Sequence, residues 1–246
     1  MDRQYKKSPI TEVLIDIQVD LPEKDNLSLL KSIQEEVKDS YPELKIKTEW
    51  KASFKVQDNK PNFASEASGN SIGYMFSSSN LKKMIQTTLY GYTFNMLQAY
   101  PEWNSFKQDA KSGWDIYKKA VKPLRIKRIA LKYINKINII SSSIDLKEYF
   151  LTTPEIASSL PQGMTEFFMR LVMPDENQNV AIITQTVDKS KPVENNLPII
   201  FDIDVFKIVN LEKDNQEIWD ILDNLHKYAV KILEESLTEK TKQLFN

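Results

Sequence analysis

Cysteine is absent from this chain of 246 residues, so disulfides, thiolate nucleophiles, Fe–S clusters and cysteine zinc sites are excluded. Histidine is nearly absent. His226 stands alone, which rules out a histidine-rich metal site and leaves a Ser-His-Asp triad one position to use. The five glycines, at 69, 73, 91, 113 and 163, are isolated, so there is no Gly-rich phosphate loop. Arginine occurs only as Arg3, Arg125, Arg128 and Arg170, and lysine supplies the remaining positive charge. That balance disfavours bidentate phosphate reading, at which arginine excels. Net charge is −1, so no global field draws the chain to nucleic acid or an anionic membrane. No apolar run approaches ~20 residues, and Met1 to Pro9 lacks the apolar core of a signal peptide. A cytoplasmic protein without membrane contact is expected.

What is present is a globular composition, 41% hydrophobic and 27% charged, in a chain long enough for one large domain or two small fused ones. The strongest pattern runs from Leu124 to Ile140. Ile129, Leu131, Tyr133, Ile137 and Ile139 recur every second residue, the spacing of one face of a strand, while Arg128, Lys132 and Lys136 fall on the other. Asn135 is a polar exception on the apolar face.

Before this strand, residues 10–20 alternate as a strand that Leu21-Pro22 ends, and Leu27, Leu30, Ile33 and Val37 follow at helical spacing. Residues 44–56 show the cleanest split between an apolar set (Leu44, Ile46, Trp50, Phe54) and a lysine-rich set. Residues 72–76 and 84–97 read as a hairpin, and Trp103 to Val121 as a helix that Pro123 closes. After the central strand, residues 144–151 read as a short helix, with a further turn or helix between Pro154 and Pro161. Strands return at 167–173, 180–187 and 199–209. A long helix closes the chain, with Asp214 and Glu217 spaced as a capping box.

Residues 1–123 and 124–246 therefore follow a similar order of strand, helix, three strands, helix. This pattern predicts an α+β protein, antiparallel sheet with helices on one side, built from two similar halves. Whether the halves share one sheet is open at this level.

Three segments resemble those of a sporadically distributed family of uncharacterised bacterial proteins of about this length. They are Pro9-Ile10-Thr11-Glu12, the strand residues Arg128, Leu131, Tyr133 and Asn135, and the terminal Ser236-Leu-Thr-Glu-Lys240. The resemblance implies a soluble bacterial protein and the mobile gene neighbourhoods in which defence or toxin-related genes collect. It implies no activity.

Several residues are candidates for chemistry or binding. Arg128, Lys132 and Lys136 repeat every ~13 Å along one strand face, and Lys45, Lys47, Lys51 and Lys55 form a second stripe. Side by side, the two would make a positive platform for nucleic acid or an acidic partner, with Trp50, Tyr74 and Tyr90 as stacking aromatics. The competing reading is a solvated sheet face. Tyr133 and Asn135 are either groove-floor residues that contact a ligand or buried groups satisfied by the backbone. Asp202 and Asp204 share one strand face and are weak candidates for a Mg²⁺ site with Glu12, Asp16 or Glu166. His226 lies beside the apolar stripe of the last helix, and Trp219, Tyr228 and Leu233 widen that stripe into a candidate interface.

The leading expectation is a non-catalytic interaction or scaffold protein, in a defence or toxin-related module, binding a protein partner or a second copy of itself. No cofactor is called for. The alternatives are a sheet that binds nucleic acid or a ligand and, behind it, a divalent-metal hydrolase.

Overall fold

The computed structural model describes residues 5–22, 27–53, 66–98, 102–140, 145–189, 196–214 and 216–246, with the side chains of 51–53 and 66–68 excepted. The elements in order are β1 (Ile10–Asp20), α1 (Leu27–Val37), β2 (Glu43–Ser53), β3 (Glu66–Ser77), β4 (Lys83–Thr88), β5 (Gly91–Leu97) and α2 (Trp103–Val121). They continue with β6 (Arg125–Ile140), β7 (Phe168–Pro174), β8 (Asn179–Val187), β9 (Asn196–Glu212), α3 (Glu217–Ser236) and α4 (Glu239–Gln243). The protein is α+β. The nine strands of the described residues join one sheet in the order β2-β3-β4-β5-β1-β6-β9-β8-β7, and each of their pairings is antiparallel.

The two halves meet at the centre of this sheet, where β1 lies against β6 with Val13 opposite Tyr133 and Ile15 opposite Leu131. Outward from that seam each half is a meander whose last strand returns beside its first, β5 against β1 and β9 against β6. The first half has one strand more. The stretch 84–97 turns at Leu89 and Tyr90 and forms both β4 and β5, a reversal that the continuous apolar pattern conceals.

The alternation along β6 has the expected physical result. Ile129, Leu131, Tyr133, Ile137 and Ile139 are buried under the helices together with Val13, Ile15 and Ile17 of β1 and Ile199, Phe201, Ile203 and Val205 of β9. α3 packs on β6 and β9, α2 on β5 and α1, and α1 on β3 and β4. Gly113 lets α2 approach closely. A Cβ there would collide with the hydroxyl of Tyr92, which donates to the carbonyl of Ala110 at 2.9 Å.

Three local expectations are corrected. The short helix expected over 144–151 is, among the described residues, a single 3-10 turn at Leu146–Glu148, while the turn or helix expected between Pro154 and Pro161 is a turn, closed by the Leu160 amide on the carbonyl of Ala157 at 2.9 Å. Asp214 does not cap α3. Gln216 takes the cap position without a side-chain bond, and Asp214 pairs instead with Lys118 of α2 at 3.0 Å. Last, β2 is an edge strand outside β3, on which α1 packs, and Ile46 is 61% and Trp50 71% exposed despite the apolar alternation. Periodicity shows which side chains share a face, but not whether anything covers that face.

Candidate functional site

Residues of opposite parity to the core set form the other face of the sheet, across which no described helix packs. The register places Leu14 opposite Lys132 and Lys132 opposite Asp204, and it sets Lys136 opposite Ile200. The expected basic stripe of β6 is therefore the midline of this open face. It is not free. Arg128 bonds Asp16 of β1 at 3.1 Å and Asp204 of β9 at 3.4 Å, Lys132 bonds Asp202 at 2.6 Å, and Lys136 bonds Asp188 at 2.6 Å. The Arg128 guanidinium also lies over the Phe206 ring, 4.3 Å from its centroid.

A chain of amides continues the row through the first half. Thr93 donates to Asp16 at 2.9 Å and Asn95 to Glu12 at 2.6 Å. Gln86 donates to Asn95 at 2.7 Å, and Lys47 to Gln86 at 2.6 Å. Burial disfavours ionisation of three groups in this row. It raises the carboxyls of Asp202 and Asp204 above the ordinary range against the opposing pull of Lys132 and Arg128, and it lowers the Lys47 ammonium. Apolar side chains flank the row, with Phe168, Val172, Ile140 and Ile208 exposed.

This arrangement bears on each candidate. Asp202 and Asp204 do share a face, but both already face a cation, and among the described residues no group of three or more His, Cys, Asp or Glu converges as a metal site. Lys45 and Lys47 lie on the same open face as β6, four strands away across β3, β4, β5 and β1; the side chain of Lys51 and all of Lys55 lie outside the described residues. Trp50 and Tyr74 lie on the opposite face from these lysines, and Tyr90 sits in the β4–β5 turn. Base stacking and phosphate contact from one surface need aromatics and cations interleaved, and here they are segregated.

Tyr133 and Asn135 are under the helices rather than on the floor of an open groove. Asn135 is fully buried and donates to the carbonyl of Phe201 at 3.0 Å. The Tyr133 hydroxyl lies 2.8 Å from Nδ1 of His226. His226, expected at the border of the apolar stripe of the last helix, is buried and stacked on Trp103 of α2 with ring centroids 4.4 Å apart. Trp103 donates its indole N–H to Asp223 at 2.5 Å, and Lys107 binds the same carboxylate. The one histidine thus belongs to a polar rivet between the two halves. Its position one residue after Leu225 of the stripe is the only signal the sequence offered.

The candidate interface on α3 is largely occupied from within. Trp219 is buried beneath Lys111 of α2, whose ammonium lies 5.8 Å from the ring centroid. Tyr228 and Leu233 are partly buried against the core. No match emerges when the chain is compared with protein-family models and with curated proteins.

Proposed function

We propose that the protein is a non-catalytic interaction module that presents its open sheet face to a protein partner. The observation that carries this reading is the self-neutralised row Asp16–Arg128–Asp204, Lys132–Asp202 and Lys136–Asp188, bordered by exposed Phe168, Val172 and Ile208. Fixed, paired charges, four carboxylates against three cations, give a surface register and specificity with little net field, and apolar flanks supply burial on association. A polyanion would have to break those pairs to gain phosphate contacts. The resemblance to a sporadic bacterial family adds the expectation that the partner is encoded nearby, in a defence or toxin-related module.

A photo-crosslinking residue at Ile208, on the open face, tests this in the native host against a control at Glu235 on α3. One discrete protein captured at 208 and not at 235 supports the reading, and no capture at 208 rejects it. The competing nucleic-acid reading predicts retardation of DNA or RNA that weakens steeply between low and moderate salt, reporting displaced counterions. A salt-steep gel shift would replace the protein-partner reading.

A further inference from the structure

An open sheet of nine strands ends in two edges, and the two differ. β2 carries Lys45, Lys47, Glu49 and Lys51 at alternate positions, and its register with β3 shifts between Lys47 and Thr48. Charges and irregularities of this kind keep an edge from pairing. β7 is less protected. Its register with β8 is unbroken from Phe168 to Pro174, and Arg170 is its only charge. Phe168 is 69% and Val172 52% exposed.

The backbone of β7 shows which of its groups reach the free edge. The amide of Asp175 donates to the carbonyl of Asn179 at 2.8 Å, in line with the pairing of Pro174 opposite Val180. Inward and outward hydrogen bonding alternate along an antiparallel strand, so the odd-numbered residues bond to β8. Phe168, Arg170, Val172 and Pro174 then turn their peptide groups outward. Pro174 has no N–H to donate, and it falls where that N–H would face the edge, the position a sheet tolerates.

We infer that β7 pairs with β7 of a second copy, antiparallel about a two-fold axis at Leu171, and joins two sheets into one. Three registers compete. Centring on Arg170 places two guanidinium groups opposite each other. Centring on Val172 sets Arg170 against Pro174 and forfeits donors. Centring on Leu171 places Arg170 opposite Val172, Phe168 opposite Pro174 and Met169 opposite Met173, with about six inter-strand hydrogen bonds and no apposed like charges. The half-buried odd residues Met169, Leu171 and Met173 would continue the core face across the seam. A sequence that is self-complementary in one register fits a second copy, since an unrelated peptide sets no such requirement.

Sedimentation velocity over a micromolar dilution series tests the pairing. Wild type should approach twice the chain mass of 28.6 kDa. Val172→Lys puts a second cation opposite Arg170 and should weaken association at least about tenfold. Val172→Glu should preserve or tighten it, and Arg170→Glu combined with Val172→Lys should restore it. Hydrogen exchange on wild type supplies a measurement that needs no variant. The amides of Phe168, Arg170 and Val172 should gain protection with concentration, while those of Leu171 and Met173 stay protected throughout. A monomer at every concentration overturns the inference. So does a dimer indifferent to both single substitutions, or one weakened equally by Lys and Glu.

Discussion

Lys132→Met is the most direct test of the ladder on the open face. The substitution keeps most of the apolar stem of Lys132 and removes its ammonium from Asp202, 2.6 Å away. Breaking a fully buried pair costs about 3–5 kcal/mol, and an exposed pair contributes under about 1 kcal/mol. Lys132 is 29% and Asp202 18% exposed, so the loss at neutral pH should fall between these limits, about 2 kcal/mol. Its pH dependence is the sharper readout. Burial already holds the Asp202 carboxyl above its ordinary value, and Lys132 opposes that rise. Without Lys132 the folded-state pKa climbs further above the unfolded value, so the folded state binds the proton more tightly. Stability of the variant relative to wild type must then rise as pH falls from neutral through that raised pKa towards the ordinary carboxylate range. Urea melts at pH 7 and near pH 4.5 measure both values. An equal loss at the two pH values would show that Asp202 gains nothing from Lys132, and the self-neutralised row would have to be abandoned.

Leu131→Ala, at a fully buried site of the central seam, should cost about 2–5 kcal/mol in urea melts with the denaturant slope unchanged. Gly113→Ala should displace the Tyr92 hydroxyl from the carbonyl of Ala110 and cost about 1–3 kcal/mol, seen as a lowered melting temperature. If the variant is as stable as wild type, α2 can shift without loss of that bond. Trp219→Ala should destabilise the isolated chain by about 3–5 kcal/mol, because the indole is buried within the fold. A folded, unperturbed variant would return Trp219 to the list of interface residues.

Much of the fold was legible because alternation and helical spacing survive without knowledge of neighbours. Ile129, Leu131 and Tyr133 announce both a strand and its buried face, and Phe106, Ala110, Trp114 and Tyr117 announce α2 and its buried stripe. Position in the sheet was not legible. Ile46 and Trp50 alternate as well as Leu131 does, yet β2 ends up at an edge, since that depends on how distant segments pair. The same limit governs the site. The basic stripe of β6 was visible, but its neutralisation needs Asp16, Asp188, Asp202 and Asp204, brought in by β1, β9 and the segment after β8. Local chemistry could not foresee the burial of His226 either, because its partners Tyr133 and Trp103 lie on two other elements.

The seam between β1 and β6 also sets a problem for synthesis on the ribosome. β1 leaves the tunnel before either of its neighbours exists, and Val13 has to wait for Met96 on one flank and Tyr133 on the other. Until then its apolar face and both of its hydrogen-bonding edges are available to any other chain. Contacts so distant in sequence fold slowly, and the delay falls on the strand at the middle of the sheet. Nascent chains arrested before residue 125 should therefore engage chaperones through residues 10–20, and should release them only once β6 has emerged.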